Sequence, residues 1–123
     1  MLIEDLYKVT ATEKSAEGIL AQIHLNKDHA IFKGHFPGNP VMPGVCMIQI
    51  IKELTEEATG KNLFLAVSSN IKFMAIINPE NNPDLQIVID IAEEDDEVKV
   101  KNTTSFEDTV ALKLSATFKI VEL

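Results

Sequence analysis

Residues 35–49 read His35-Phe36-Pro37-Gly38-Asn39-Pro40-Val41-Met42-Pro43-Gly44-Val45-Cys46-Met47-Ile48-Gln49. Three of the chain's five prolines and two of its five glycines fall in this window, so a stiff loop, with φ fixed at each proline, directly follows a histidine. From Gly44 onward the pattern changes. Val45, Met47, Ile48, Ile50, Ile51 and Leu54 form an apolar run, Lys52, Glu53, Glu56 and Glu57 join it, and Gly60 offers a stop. That pattern predicts a helix over about residues 44–59, buried along most of its first half. A histidine held by a rigid loop beside such a helix N-terminus suits chemistry at a carbonyl. The first-turn N–H groups can bind an oxyanion while the imidazole moves a proton.

Working outward, residues 2–13 and 17–25 read as an opening hairpin, with its turn around Ser15-Ala16-Glu17-Gly18. Residues 27–34 make a short turn or helical piece anchored by Ile31 and Phe32. Beyond the helix, residues 63–77 are rich in strand formers and interrupted by Ser68-Ser69-Asn70, which predicts one long kinked strand. Asn78-Pro79-Glu80-Asn81-Asn82-Pro83 marks a turn. Strands over 85–92, 97–106 and 109–121 follow, separated by Glu93-Glu94-Asp95-Asp96 and Glu107-Asp108. No internal repeat or linker is visible, and residues 1–123 are expected to make one domain.

Composition narrows the partners. A net charge of −8, from 11 Lys and Arg against 19 Asp and Glu, argues against nucleic acid. No stretch approaches a membrane span. One cysteine, Cys46, cannot form an internal disulfide, and with no leader ahead of the first strand a reducing, cytoplasmic setting is expected. No Cys and His spacing supports a metal site and no phosphate-binding glycine loop is present, so no cofactor is expected. His24 and His29 read as structural or solvated, and Cys46 as a core residue. Met42, Met47, Phe73 and Met74 suit either an acyl channel or plain core packing.

The string HFPGNPVMPGV, the helix after it and the later Lys72-Phe73 strand resemble the 3-hydroxyacyl-acyl-carrier-protein dehydratases of fatty acid synthesis. The resemblance runs loosely over nearly the whole chain. It implies an α+β hotdog fold, an antiparallel sheet of about six strands wrapped around the central helix. The implied reaction is reversible loss of water from a 3-hydroxyacyl thioester to give the trans-2-enoyl thioester. His35 would be the base, its ring oriented by the Val41 carbonyl, and the Gly44 N–H would polarise the thioester carbonyl. Phe36, Pro43, Val45 and Phe73 would line the substrate site. The implied partners are acyl carrier protein and a second copy of the chain, because the family's acid comes from the partner's helix; assembly beyond a homodimer is left open. Carrier proteins of this pathway are acidic, and Lys27, Lys33, Lys52, Lys61 and Lys72 offer a basic rim or are simply solvated.

One departure stands out. The family carries Glu or Asp fourteen residues after the histidine, and this chain has Gln49. An amide donates hydrogen bonds but has no usable acidity. Glu53 follows at i+4, on the same helix face, where many family members carry glutamine, as though the two side chains had exchanged places. Glu53 is therefore the candidate acid, against the alternative that it begins the helix's solvated end. Two other functions fit the same features: a hotdog acyl thioesterase, and a non-catalytic subunit that binds an acyl carrier or acyl chain.

Overall fold

The structure is a computed structural model that describes residues 5–32 and 41–121, with only the backbone course given for residues 66–69. Six strands form one antiparallel sheet in the order β1-β2-β4-β5-β6-β3: β1 Tyr7–Lys14, β2 Gly18–Leu25, β3 Asn62–Phe73, β4 Asp84–Glu94, β5 Glu97–Phe106 and β6 Thr109–Val121. One helix, α1, spans Gly44–Thr59, and a short 3-10 turn covers Ala30–Phe32. A sheet with a single central helix on its inner face is the hotdog architecture, as expected from the sequence.

Alternation explains which face curls inward. Ile19, Ala21, Ile23 and Leu25 on β2, Leu85, Ile87 and Ile89 on β4, and Leu112, Leu114, Ala116 and Phe118 on β6 are all buried, and their intervening neighbours are mostly partly or fully exposed. Against them α1 buries Cys46, Met47, Ile50, Ile51, Leu54 and Thr55. The helix packs on β2, β3 and β4. Burying side chains of this size is worth roughly 1.5 to 3 kcal/mol each, so the sheet and helix hold each other in place.

Polar groups inside the core are paired. Asn102 donates to the Val88 carbonyl at 3.0 Å and accepts from the Thr104 hydroxyl at 3.1 Å, and the Thr55 hydroxyl donates to the Ile51 carbonyl at 2.7 Å. Gly18 sits so close to β4 that a Cβ there would lie 1.9 Å from the Ile89 carbonyl oxygen. Only glycine fits that crossing.

Three boundaries differ from expectation by two residues or more. The long strand ends at Phe73 rather than 77, because the Met74 and Ala75 N–H groups both turn to the Ala111 carbonyl, at 2.8 and 3.3 Å, which ends the ladder. Its pairing with β6 is irregular between Leu65 and Val67 and again, at the polar interruption, between Ser68 and Asn70. Glu93 and Glu94 belong to β4, not to a turn; the reversal is Asp95-Asp96, with Asp95 at φ 54 as a tight hairpin requires. β1 begins at Tyr7, and residues 2–4 lie outside the described part.

Candidate active site

The Met42 N–H donates to the Ile77 carbonyl at 2.9 Å, tying the loop before α1 to the segment after β3. Pro43 occupies the N-cap position with φ −65 and ψ 143 and supplies no side-chain cap. The Cys46 and Met47 N–H groups both turn back to the Pro43 carbonyl, at 3.1 and 3.3 Å. Gly44 and Val45 are thus the first-turn donors that have no acceptor within the helix. At the other end Gly60, at φ 71, closes the helix in the left-handed conformation that favours glycine.

Phe73 covers this helix start. A Cβ on Gly44 would meet the Phe73 ring, with Cζ at 2.7 Å, so the absence of a side chain at Gly44 admits the aromatic ring. Phe73 and Gly44, both implicated from the sequence, therefore touch. The surroundings are apolar and open: Val45 is 74% exposed, Phe73 55%, Met74 49% and Ile76 68%. Val41 and Pro43 are half-buried beside them. His35 and Phe36 lie outside the described residues, as do Pro37 and Pro40.

Gln49 and Glu53 share one helix face. The Gln49 Nε2 donates to Glu53 Oε2 at 2.9 Å; a carboxylate can only accept here, which fixes the amide's orientation. A third residue, which nothing local in the sequence marks, joins this pair. The Tyr7 hydroxyl on β1 donates to Glu53 Oε1 at 2.7 Å. Burial pushes the Tyr7 hydroxyl's pKa up, and the Glu53 hydrogen bond and the nearby Glu53 and Glu57 charges push it further, so Tyr7 remains a donor. Tyr7 and Glu53 line a groove of about 640 Å³ between β1 and the second half of α1, floored by Ile19, Leu54 and Ala58.

Other candidates fall elsewhere. His24 Nδ1 lies 2.7 Å from Asp84 Oδ1 on the β2–β4 pair, and His29 Nδ1 accepts the Ile31 N–H at 3.0 Å. Cys46 is buried, and burial pushes its thiol pKa up, which suits packing rather than nucleophilic work. Lys52 pairs with Glu56 at 3.5 Å and Lys61 with Glu93 at 2.7 Å. Lys61 lies past the helix C-terminus, roughly 24 Å along the axis from Gly44, so it does not flank the helix start. Among the described residues no group of His, Cys, Asp and Glu converges as a metal cluster, and no helix is long and apolar enough to cross a membrane.

The ApeI-like family model, described as ApeI dehydratase, matches residues 11–113. A 3-hydroxyacyl-[acyl-carrier-protein] dehydratase FabZ of Lactobacillus helveticus (strain DPC 4571) is 30% identical over 129 residues, covering 95% of this chain and 86% of the relative. The FabZ of Fusobacterium nucleatum subsp. nucleatum is 27% identical over 121 residues, covering 94% and 85%. Among solved structures, a chain of the dehydratase heterocomplex ApeI:P from Xenorhabdus doucetiae superposes with TM-score 0.75 at 19% identity, over 91% of this chain and 96% of that one. A crystal structure of a protein described as a thioesterase, from Silicibacter sp. TM1040, gives TM-score 0.65 at 11% identity, over 98% and 83%. At such identities these two likenesses speak for the fold alone.

Proposed function

The chain belongs to the ApeI-like family, and from that premise we propose that it is a dehydratase acting on 3-hydroxyacyl thioesters borne by acyl carrier protein, in fatty acid or related lipid synthesis. The FabZ relatives, whose names carry that reaction, support it across nearly the full length of the chain. On this reading residues 1–123 act as one domain in the cytoplasm.

In the proposed reaction the Gly44 N–H, at the start of α1, polarises the thioester carbonyl, and Phe73, Val41, Pro43, Val45 and Phe36 line the approach. His35 takes the proton from C2. The C2–H electron pair becomes the C2–C3 double bond, the C3–O bond breaks, and Glu53 of the partner subunit, entering the step as the neutral acid, gives its proton to the departing hydroxyl, which leaves as water while Glu53 becomes the carboxylate to which Tyr7 and Gln49 donate. A donor at the oxyanion is worth roughly 3 to 4 kcal/mol, and general acid–base help about 10²- to 10⁴-fold.

The observation that carries the Glu53 assignment is its 2.9 Å bond to Gln49. It joins the ionisable member of the pair to the residue that, by the resemblance, takes the place of the family's acid. The edge position of β3, beside exposed Phe64, Phe73, Met74 and Ile76, supports pairing of two copies across a two-fold axis. A hetero-assembly, of the kind named in the Xenorhabdus complex, is the second reading of that edge, and on it Gln49 takes the place of the acid that the resemblance implies.

Exchanging the pair tests the assignment. Glu53→Gln should cost about 10²-fold in rate, and Gln49→Glu should leave activity little changed or lower. A silent Glu53→Gln together with a Gln49→Glu that raises dehydration would show instead a site lacking its own acid.

A further inference from the structure

We propose that Tyr7 is a positioning residue for this reaction: its hydroxyl clamps the Glu53 carboxylate from the opposite wall, and Glu53 in turn aims the Gln49 amide. The inference rests on the proposed role of Glu53 and adds to it a residue from a distant strand.

The geometry is a chain of three groups. Tyr7 donates to one carboxylate oxygen at 2.7 Å and Gln49 to the other at 2.9 Å. Tyr7 comes from β1 at the sheet's far edge, whereas Gln49 and Glu53 lie one turn apart on α1. A glutamate on a helix has several rotamers open to it, and a donor on the same helix moves with the helix. A donor from a separate strand fixes the carboxylate relative to the sheet. Restraint of this kind is what a proton-transferring group needs, since misplacement by about 1 Å costs on the order of 10²-fold.

The arrangement also sets the amide. One Gln49 N–H is committed to Glu53, so the amide's oxygen and second N–H point in directions that Glu53 decides. If the Tyr7 clamp is removed, both side chains gain freedom together. Lys14 on β1, Glu56 and Glu57 on α1, and Lys61 just after it are the other charged groups lining the same groove. None of them supplies a neutral donor of fixed geometry.

Tyr7 is the chain's single tyrosine and there is no tryptophan, so tyrosinate absorbance reports this contact alone. In the parent protein the ionisation should not appear until well above the ordinary value of about 10. In Glu53→Gln, still folded by circular dichroism, tyrosinate should begin to form at lower pH, because burial, the larger cause, remains while the Glu53 hydrogen bond and charge are gone. An unchanged onset would overturn the clamp without any appeal to activity.

Kinetics completes the test on purified full-length protein with a 3-hydroxyacyl thioester. Tyr7→Phe should lower kcat about 10-fold or more, the scale of one hydrogen bond to a charged group, with KM nearly unchanged. In a Glu53→Gln background the same change should cost nothing further. Equal losses in both backgrounds, or a rise in KM alone, would mean that Tyr7 only supports the fold and would overturn the inference. Full activity in Tyr7→Phe beside a crippled Glu53→Gln would sink the inference and leave the Glu53 reading standing. Full activity in Glu53→Gln would sink both.

Discussion

Gly44→Ala separates the needs of the fold from those of the site. The new methyl would lie 2.7 Å from the Phe73 Cζ and 3.4 Å from its Cε2, too close to be accommodated without movement. The backbone has no reason to yield, because Gly44 starts an ordinary helix and the 55% exposed Phe73 ring is free to swing outward. Releasing on the order of 50 Å² of ring contact costs about 1 kcal/mol. Alanine in place of glycine returns up to ~1 kcal/mol of helix preference. The two effects nearly cancel, so urea unfolding should change by no more than ~1 kcal/mol. Activity should not be spared. The methyl and the displaced ring both crowd the approach to the Gly44 N–H, and full loss of such a donor costs on the order of 10²- to 10³-fold. A drop of at least about 10-fold is expected in the rate of enoyl thioester formation, read by absorbance. A Gly44→Ala protein that unfolds like the parent and turns over at full rate would refute the placement of the thioester carbonyl at this helix end.

The remaining predictions touch the base, the core and the assembly. His35→Ala should abolish turnover with the circular dichroism spectrum unchanged, because the loop's prolines rather than the imidazole set its backbone; a folded variant that keeps most of its rate would remove His35 as the base. Gly18→Ala should destabilise by about 3 kcal/mol in a urea melt, since its Cβ would sit 1.9 Å from the backbone carbonyl oxygen of Ile89, which no rotamer change relieves. Thr104→Val should cost roughly 1 to 3 kcal/mol by removing the donor to the buried Asn102 side chain. Sedimentation should find a dimer whose activity is lost on dilution to the monomer; a stable, active monomer would defeat the proposed shared site.

How much was legible in the sequence depended on whether the deciding contacts are local. The helix was readable to its ends because Gly44 and Gly60 bracket an apolar run of helical spacing, and the ends fall at Gly44 and Thr59. β6 was readable to both its ends and β4 over residues 85–92, whereas Glu93 and Glu94, charged residues read as a turn, continue β4. The end of β3 was not, because Met74, Ala75, Ile76 and Ile77 are residues that suit a strand, and only the Ala111 carbonyl, which takes two N–H groups in succession, ends the ladder at Phe73. The Gln49–Glu53 bond follows from i, i+4 geometry and was anticipated as a shared face. Tyr7 was missed, since it meets Glu53 across 46 residues of sequence and nothing local marks it except being the only tyrosine in the chain.

The most direct test of the central claim is incubation of the purified protein with a 3-hydroxyacyl thioester of acyl carrier protein, following enoyl absorbance and free thiol in the same sample. The account predicts that enoyl thioester forms, reversibly, with no thiol released. Thiol release without enoyl formation would make the protein a thioesterase, and bound but unchanged thioester would make it a carrier-binding subunit; either result would contradict the dehydratase assignment.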